Sequence, residues 1–399
     1  MQFPSLSRQR DELVAHFKKR ERVAVDDLSF VVSPYRISPL GAHIDHQGGP
    51  VLGMTIDAHT LLAFIPNEEP RIRLYSMNYP GVVEFSLEKI RTSKKDDWER
   101  YAKGAAKIIC ERGQIDRGLI GAVSGALPAS GLSSSASIGL AYLHALAKVN
   151  DLELGADDYV ELDRRLENDY LKLKNGILDQ MTIIHGRKDH LLHINTVTRD
   201  VELFPKPDTK ADSRILIAYS GFSRELTGSG FNTRVEECCN AAMLLGIMGG
   251  IRTAKILSDV PADVFHTKSK KLPEDLKRRA SHYYSEVERV TTGIVAWNDG
   301  DWETFGQLMN ESCRSSLENY ESGSHALQKL HEIVSVTQGV YGSRFSGGGY
   351  GGCVIGFVES DLAEEVAMKT YEKYINVFPE VKGSAAVYLA NSDDGVRFL

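Results

Sequence analysis

The chain has 399 residues, of which 42% are hydrophobic and 25% charged, a composition typical of a soluble globular protein long enough for two domains. Its net charge of −7 argues against a nucleic-acid partner or an anionic membrane surface. We find no apolar run long enough to cross a bilayer and no signal-peptide core at the start. Five scattered cysteines suit reduced thiols, so a cytoplasmic location is predicted.

The first part of the chain predicts a surface helix followed by a sheet. Strands are predicted over 28–32, 51–65, 71–76, 82–87 and 119–124, and helices over 6–24 and 98–112.

An unusual loop, residues 33–49, concentrates charged groups before a Gly-Gly turn. They are Arg36, His43, Asp45 and His46. Pro34 and Pro39 exclude a regular helix here, and charged groups in a rigid loop indicate function more often than packing. The two histidines and Asp45 resemble a metal cluster, but no further ligand set completes it, so a sugar- or phosphate-binding loop is favoured.

Residues 124–147 begin with small, loop-forming residues and continue as an apolar helix predicted over 133–149. A helix N-terminus offers free N–H groups and partial positive charge to an anion, and glycines such as Gly131 allow close approach. The preceding strand supplies the strand–loop–helix setting of a phosphate site. A serine-rich N-cap on a core helix is the alternative, and the stretch alone fits both.

Two acids follow this loop. Glu167 lies in a helix predicted over 157–174 that stops before Gly176, and Asp179 lies in an apolar run. An acid in such a run is either a hydrogen-bonded structural group or a functional carboxylate, and taken alone the structural interpretation is favoured.

A polar, proline-bearing segment at 204–213 predicts a domain boundary, with domains of residues 1–205 and 206–399. The second domain is predicted to hold strands over 214–219, 353–358 and 385–389, a glycine-interrupted helix over 232–258, a long helix ending near Trp297, and helices over 301–319, 325–337 and 362–376.

A glycine-rich loop precedes Cys353. Gly347, Gly349 and Gly352 formally match G-x-G-x-x-G, but a strand follows the loop instead of a helix, which excludes a Rossmann site. Such a loop can still present N–H groups to a ligand. The chain has no P-loop, G-x-S-x-G or H-E-x-x-H motif. The remaining parts suit phosphoryl transfer, which needs positioning, cations and an acid near the attacking hydroxyl.

Taken together, these stretches resemble the GHMP small-molecule kinases, most closely the galactokinase branch. The ATP loop of that family is similar to Pro128-x-x-Gly131-Leu132-x-Ser134-Ser135-Ala136, and its sugar signature is similar to residues 36–49. The family's G-I-M-D-Q segment resembles 176–180, its E-N pair matches 167–168, its W-x-x-Y-x-K-G segment matches 98–104, and its last glycine motif matches 342–353.

The resemblance implies an α+β fold of two domains, an N-terminal ribosomal-protein-S5-like domain and a C-terminal ferredoxin-like domain, and a requirement for ATP and Mg²⁺. Ser135 and Glu167 would hold the metal, with Ser134 as the alternative hydroxyl. Asp179 would act as base or orienter at the anomeric hydroxyl, and Arg36 would stabilise the transferring phosphoryl group and favour the charged form of Asp179.

The same resemblance assigns two sets of binding residues. The sugar-binding set is Ala42, His43, Asp45, His46, Gly176 and Phe231. The ATP-binding set is Trp98, Pro128, Ser130, Gly131, Leu132, Ser133, Ser134, Ser135, Ala136, Gly347 and Gly348.

Departures from the family pattern predict the substrate. Galactokinases have Glu where this chain has Ala42, and that carboxylate faces the C6 hydroxyl of the sugar. It would repel a substrate whose C6 is itself a carboxylate. The family's Tyr-Asn is His46-Gln47 here, which adds donors and a possible positive charge. These changes resemble the galacturonokinases and predict D-galacturonate as the substrate, phosphorylated at C1.

Other interpretations remain open. Phe231 stands where the family commonly has Tyr, so the contact to the C4 hydroxyl is in question, and galactose, glucuronate or arabinose are alternative substrates. A non-catalytic sugar sensor acting through a protein partner is another alternative, although it would not need Glu167 and Asp179. The expected partners are a uronic acid and ATP, and a monomer or weak homodimer is expected.

Overall fold

Two β-sheets organise the protein, one of eight strands and one of four. The computed structural model describes residues 1–21, 23–91, 97–113, 115–127, 130–209, 212–222 and 230–399. The strands are β1 Ser29–Ile37, β2 Val51–Asn67, β3 Arg71–Ser76, β4 Val82–Ser86, β5 Gly118–Gly125, β6 His190–Ile194, β7 Val201–Pro205, β8 Ser213–Tyr219, β9 Val340–Phe345, β10 Cys353–Glu359, β11 Ala386–Ala390 and β12 Arg397–Phe398.

Helices cover both sheets, so the α+β class predicted from the sequence is confirmed. They are α1 Leu6–Arg20, α2 Glu99–Cys110, α3 Ser134–Val149, α4 Ala156–Arg165, α5 Leu178–His185, α6 Phe231–Gly249, α7 Ala262–Lys268, α8 Glu274–Asp299, α9 Trp302–Glu318, α10 His325–Ser335 and α11 Ala363–Val377. None of the helices in the described ranges is long and apolar enough to cross a membrane.

The larger sheet has the order β12-β1-β2-β5-β3-β4, and β2 also pairs with β6, which pairs with β7. Its pairings are antiparallel except for β3 with β5. The smaller sheet, β11-β8-β10-β9, is antiparallel throughout. Strand β7, which ends at Pro205, belongs to the larger sheet, and β8, which begins at Ser213, belongs to the smaller one. We place the proposed domain boundary between them.

Helix α3 is the central helix of the part of the chain that contains the eight-stranded sheet. Twelve of its residues are buried, because it packs against β1 and β2 on one side and against α2 and α4 on others. A helix that is apolar nearly all round is held by its neighbours from several directions. Its N-terminus is thereby fixed relative to β1, which ends at the functional cleft described below.

The structure differs from the sequence prediction between residues 157 and 185. The predicted helix over 157–174 ends as an α-helix at Arg165 and continues as one π-helical turn, Leu166–Tyr170. A separate helix, α5, then contains Asp179. Asp163 and Gln180 are buried and bonded to each other across this break, so tertiary contacts override the local pattern.

The observed boundaries of other elements also differ from the predicted ones. Strand β1 runs on to Ile37, because the register shifts at Pro34, where a proline can be accommodated. Helix α6 ends at Gly249, because Gly250 adopts φ +81° and caps it, so the predicted extension to 258 is wrong. Strands β6 and β7 were not predicted at all.

Candidate active site

A cleft opens where segments from both halves of the chain meet. Its walls come from β1 and the loop after it, the start of α5, the first residue of α6 and the end of β9 with its following loop. It is lined by Arg36, Ser38, Ala42, His43, Asp45, Asn175, Gly176, Leu178, Asp179, Phe231, Arg344, Gly347 and Gly348. Sequence reasoning selected all of these except Ser38, Asn175, Leu178 and Arg344.

An ion pair between Arg36 and Asp179 lies in this cleft. The Nε of Arg36 donates to Asp179 Oδ1 at 2.8 Å and its Nη2 lies 2.7 Å from the same oxygen. The Ser133 hydroxyl donates to Asp179 Oδ2. The Asp179 side chain is 21% exposed and that of Arg36 is 4% exposed. Asp179 is therefore not the buried structural acid that its apolar neighbours suggested; it faces the cleft, where it can accept a hydrogen bond from a ligand hydroxyl.

The two glycine loops predicted from the sequence pack against each other. The Ser346 hydroxyl donates to Gly131 O at 2.9 Å. A Cβ on Gly352 would lie 2.4 Å from Ser130 O, so only glycine permits this approach. Pro128 lies outside the described residues.

The N-terminus of α3 stands beside this loop pair. The helix begins at Ser134, and Ser133 before it adopts φ 55°, which turns the chain into the helix. Leu132 and Ala136 are fully buried, so their side chains pack in the core, while Leu132 O accepts from the Arg36 backbone N–H at 3.1 Å. The free N–H groups at the start of a 16-residue helix can bind an anionic group here.

Glu167 is a fully buried carboxylate beside Ser135. Its Oε2 accepts from Asn175 at 2.8 Å and from Gln180 at 3.2 Å, whereas Oε1 has no hydrogen-bond partner. Burial raises the pKa of Glu167, and the charge of Asp179 raises it further, while the Ser135 hydroxyl partly opposes the shift. A buried carboxylate oxygen without a donor, next to a hydroxyl, suits a hard divalent cation.

Within the described ranges, no group of three or more His, Cys, Asp or Glu side chains could hold a metal alone. A cation at Glu167 would therefore need further oxygen ligands from a bound phosphate. Mg²⁺ is commonly bound in this way, through one or two protein oxygens together with substrate phosphates. The residues present thus fit Mg²⁺ carried by a nucleotide.

Asp45 and His43 present polar groups to the same cleft. Burial raises the pKa of Asp45 to about 6, with a further contribution from the charge of Asp179. Its Oδ2 accepts from the Leu178 backbone N–H at 3.2 Å. His43 adopts φ 59°, and its ring stacks on Tyr320 with 4.4 Å between centroids. Both side chains are held firmly enough to bind hydroxyl groups in a fixed orientation.

The backbone at Ala42 is held by helix α8. The Ala42 N–H donates to Glu286 Oε1 at 3.2 Å, and its carbonyl lies 2.8 Å from His282 Nε2. Although burial raises the pKa of Glu286, the neighbouring charges, with Arg289 first, lower it to about 2, so it is ionised. The backbone at position 42 is therefore held in place by the ionised Glu286 carboxylate, and the Ala42 side chain lines the cleft.

Of the predicted sugar-binding set, His46 alone does not line this cleft, and Trp98 of the ATP-binding set makes its contacts elsewhere. His46 Nε2 lies 3.0 Å from the Tyr320 hydroxyl, and its ring packs against Phe231, which does line the cleft. Burial first, and then the charge of His282, lower the pKa of His46 to about 4. The positive charge suggested at His46 is therefore absent near pH 7. Trp98 precedes α2, donates to Pro80 O at 3.3 Å and packs against the core.

Arg344 and Asn175 were not selected from the sequence. Arg344 is in the predicted glycine motif, but the pattern alone does not separate a structural arginine from one facing a ligand. Asn175 precedes Gly176 and orients Glu167, and a polar residue before a glycine usually indicates only a turn. Both contacts depend on the folded arrangement.

Three regions of the chain match known family models. Residues 100–187 match the GHMP kinases N terminal domain, residues 293–376 match the GHMP kinases C terminal model, and residues 15–66 match the galactokinase galactose-binding signature.

The chain is also similar along its length to other sugar kinases. It is 38% identical to the galacturonokinase of Arabidopsis thaliana, over 97% of both chains. It is 34% identical to the galactokinase of Thermococcus kodakarensis, over 92% of this chain and 99% of the relative. The crystal structure of Lactococcus lactis galactokinase complexed with galactose superposes with a TM-score of 0.87 at 29% identity, covering 96% of this chain and 99% of that one.

Proposed function

Because the chain belongs to the GHMP kinase family, as a sugar kinase of the galactokinase and galacturonokinase type, we propose that it phosphorylates D-galacturonate at the anomeric C1 hydroxyl. Kinases of this family use ATP as the phosphoryl donor. The observation that carries the choice of substrate is Ala42, which lines the cleft where the galactokinase pattern has glutamate. An alanine leaves room for a carboxylate at C6 and adds no charge to repel it.

The arrangement of Arg36 and Asp179 supports their proposed roles. Phosphoryl transfer needs an oriented hydroxyl and cations that stabilise charge on the transferring group. Asp179 accepts the proton or the hydrogen bond of the C1 hydroxyl. Arg36 holds Asp179 through Nε and turns its Nη1 toward the loop at Gly131, 3.4 Å from the carbonyl oxygen. The N-terminus of α3 then faces the phosphates of ATP.

Glu167 and Ser135 are the proposed holders of Mg²⁺, which neutralises charge on the phosphates when it is bound. Asn175 and Gln180 orient Glu167 by donating to Oε2, which leaves Oε1 without a hydrogen-bond partner in the described part of the chain. Ser134 stays the alternative hydroxyl.

A panel of sugars tests the proposed substrate. The protein is incubated with Mg-ATP and D-galacturonate, D-glucuronate, galactose or arabinose, and ADP release is measured with the C1 phosphate identified by NMR. We expect the highest kcat/KM for galacturonate. A preference for galactose would refute the uronic-acid assignment, while no turnover with any sugar, together with sugar-dependent binding of a protein, would favour the sensor alternative.

Replacing Glu167 with glutamine should separate metal binding from folding. We expect the Mg²⁺ concentration for half-maximal activity to rise about 10- to 100-fold, because the ligand loses its charge. Burial raises the pKa of Glu167, so its carboxylate is a cost to the folded state that grows as pH rises. The Tm without nucleotide should therefore stay equal or rise in Glu167→Gln.

The matched control for this prediction is Glu286→Gln. Glu286 is equally buried, but its pKa is lowered to about 2 by neighbouring cations, so its charge stabilises the fold above its unfolded pKa. This variant should lower the Tm. An unchanged Mg²⁺ dependence in Glu167→Gln would remove Glu167 from the metal site.

A further inference from the structure

Arg344 is a buried charge that lines the cleft without an ion pair. Its residue is 2% exposed, and it lies on β9 opposite Ile355 of β10. Among the described residues the hydrogen bonding of its guanidinium is limited to Nη1 donating to Ser38 O at 3.4 Å, a long contact. The buried Nε has no partner. A guanidinium carries five N–H donors and stays charged at neutral pH, so most of its binding capacity is unused.

The acid nearest in electrostatic terms, Glu286, is already committed elsewhere. Its Oε1 accepts from the Ala42 N–H and from the Ser312 hydroxyl at 2.6 Å. Its other oxygen lies 2.6 Å from Arg289. Burial lowers the pKa of Arg344, and the charge of Glu286 opposes this lowering. A buried cation in this state gains from any carboxylate that reaches it.

We propose that Arg344 binds the C6 carboxylate of the uronic acid and that, together with an alanine at position 42, it selects acidic over neutral sugars. This inference rests on the proposed galacturonate kinase function and names the cation that the function requires. Arg344 and Ala42 line the same cleft as Asp179, so a sugar with C1 at Asp179 extends toward them. A guanidinium matches a carboxylate with two parallel hydrogen bonds, which a C6 hydroxyl cannot form.

The other cationic groups near the cleft do not meet this need. Arg36 is engaged by Asp179 at 2.7 Å. His46 lies behind Phe231 and is neutral near pH 7. Of the two arginines that line the cleft in the described part of the chain, Arg344 alone lacks a carboxylate partner.

The variant Arg344→Gln tests this assignment, because glutamine keeps a donor for Ser38 but removes the charge. We measure kcat/KM for galacturonate, for its neutral methyl ester and for galactose. The ratio of kcat/KM for galacturonate to kcat/KM for galactose should fall about 100-fold, because truncating one partner of a buried charge pair lowers affinity by about that factor. Use of the methyl ester should change by less than about 3-fold, a minor effect beside that of a lost charge pair. Arg344→Lys keeps the positive charge but not the two parallel N–H donors of the guanidinium. Its kcat/KM should fall about 10-fold for galacturonate and not for the neutral substrates.

Arg279→Gln is the matched control. Arg279 is 1% exposed but is paired with Glu237 and Glu321 outside the cleft, so its loss should lower the Tm and leave the substrate ratio unchanged. If the wild-type protein prefers galacturonate but Arg344→Gln lowers kcat/KM equally for all three substrates, Arg344 has a structural role and the proposed function stands. If wild type prefers galactose, both proposals are overturned. Should Arg344→Gln fail to fold, Arg344→Lys decides by the same ratio.

A double-variant cycle adds a second readout. A glutamate introduced at position 42 would lie near Arg344 and occupy it. In the Ala42→Glu background, Arg344→Gln should therefore cost little further galacturonate activity, whereas two independent sites would give additive losses. Additivity of the two losses would count against a shared carboxylate site.

Discussion

Replacing Asp179 with alanine is expected to lower kcat about 10³-fold while the affinity for Mg-ATP stays within a few-fold of wild type. Asp179 lines the cleft, and it holds Arg36 through two contacts to one oxygen. Without it the C1 hydroxyl loses the acceptor that we propose for it, and the Arg36 guanidinium loses its ion-pair partner. The Ser133 hydroxyl loses its acceptor, but the backbone N–H groups of the α3 N-terminus and the glycine loops, which we propose to face the nucleotide, remain in place.

Steady-state kinetics with galacturonate and calorimetric titration with Mg-ATP measure the two halves of this prediction. Asp179→Asn is the matched variant, because it keeps the size of the side chain and an acceptor oxygen but not the charge. We expect it to lose nearly as much as alanine. A kcat within about 10-fold of wild type in Asp179→Ala would remove Asp179 from the reaction, because such a loss falls below that of a typical acid–base group.

Replacing Ala42 with glutamate is expected to lower kcat/KM for galacturonate at least about 10²-fold and to raise the relative use of galactose. Two like charges 4 Å apart at an effective dielectric of 20 repel by about 4 kcal/mol, and each 1.4 kcal/mol is about tenfold. The backbone at 42 is fixed by Glu286 and His282, so the new side chain cannot be moved away by a shift of the loop.

Ala42→Gln separates charge from bulk, because glutamine has the size of glutamate without its charge. It should keep most of the galacturonate activity that Ala42→Glu loses. If both variants lose equal activity, bulk and not charge explains the alanine, and the electrostatic basis of the substrate proposal is wrong. Measuring both variants from 20 to 500 mM salt adds a check: a buried repulsion should change little, because screening acts mainly on exposed charges.

The site residues that could be predicted share a local signature. Gly131, Ser133 and Ser134 are recognisable because a tight turn into a helix needs small residues and hydroxyls at set positions. Asp179 was noticed because a carboxylate interrupts an apolar run. The cleft does bring Asp179 to Arg36, a residue 143 positions away, as the proposed phosphoryl-transfer chemistry requires.

The properties of site residues that could not be predicted depend on distant neighbours. The neutral form of His46 results from burial against Tyr320 and Phe231. The backbone at Ala42 is held in place by a hydrogen bond to Glu286, which is 244 positions away. The unpaired state of Arg344 exists because its nearest acid is bonded to Arg289. No spacing in the chain carries this information.

The sequence by itself therefore determined the fold class, the family and the proposed phosphate-binding parts, because turns, caps and helix starts are set by residues a few positions apart. The tertiary structure alone decided which groups are charged, which are buried and which still lack a partner. Burial, charge and pairing depend on residues that meet only after folding, such as Arg36 with Asp179 or Ala42 with Glu286. The proposed selection of an acidic over a neutral sugar draws on both, because Ala42 is visible in the sequence whereas the lack of an ion-pair partner for Arg344 among the described residues is visible only in the folded protein.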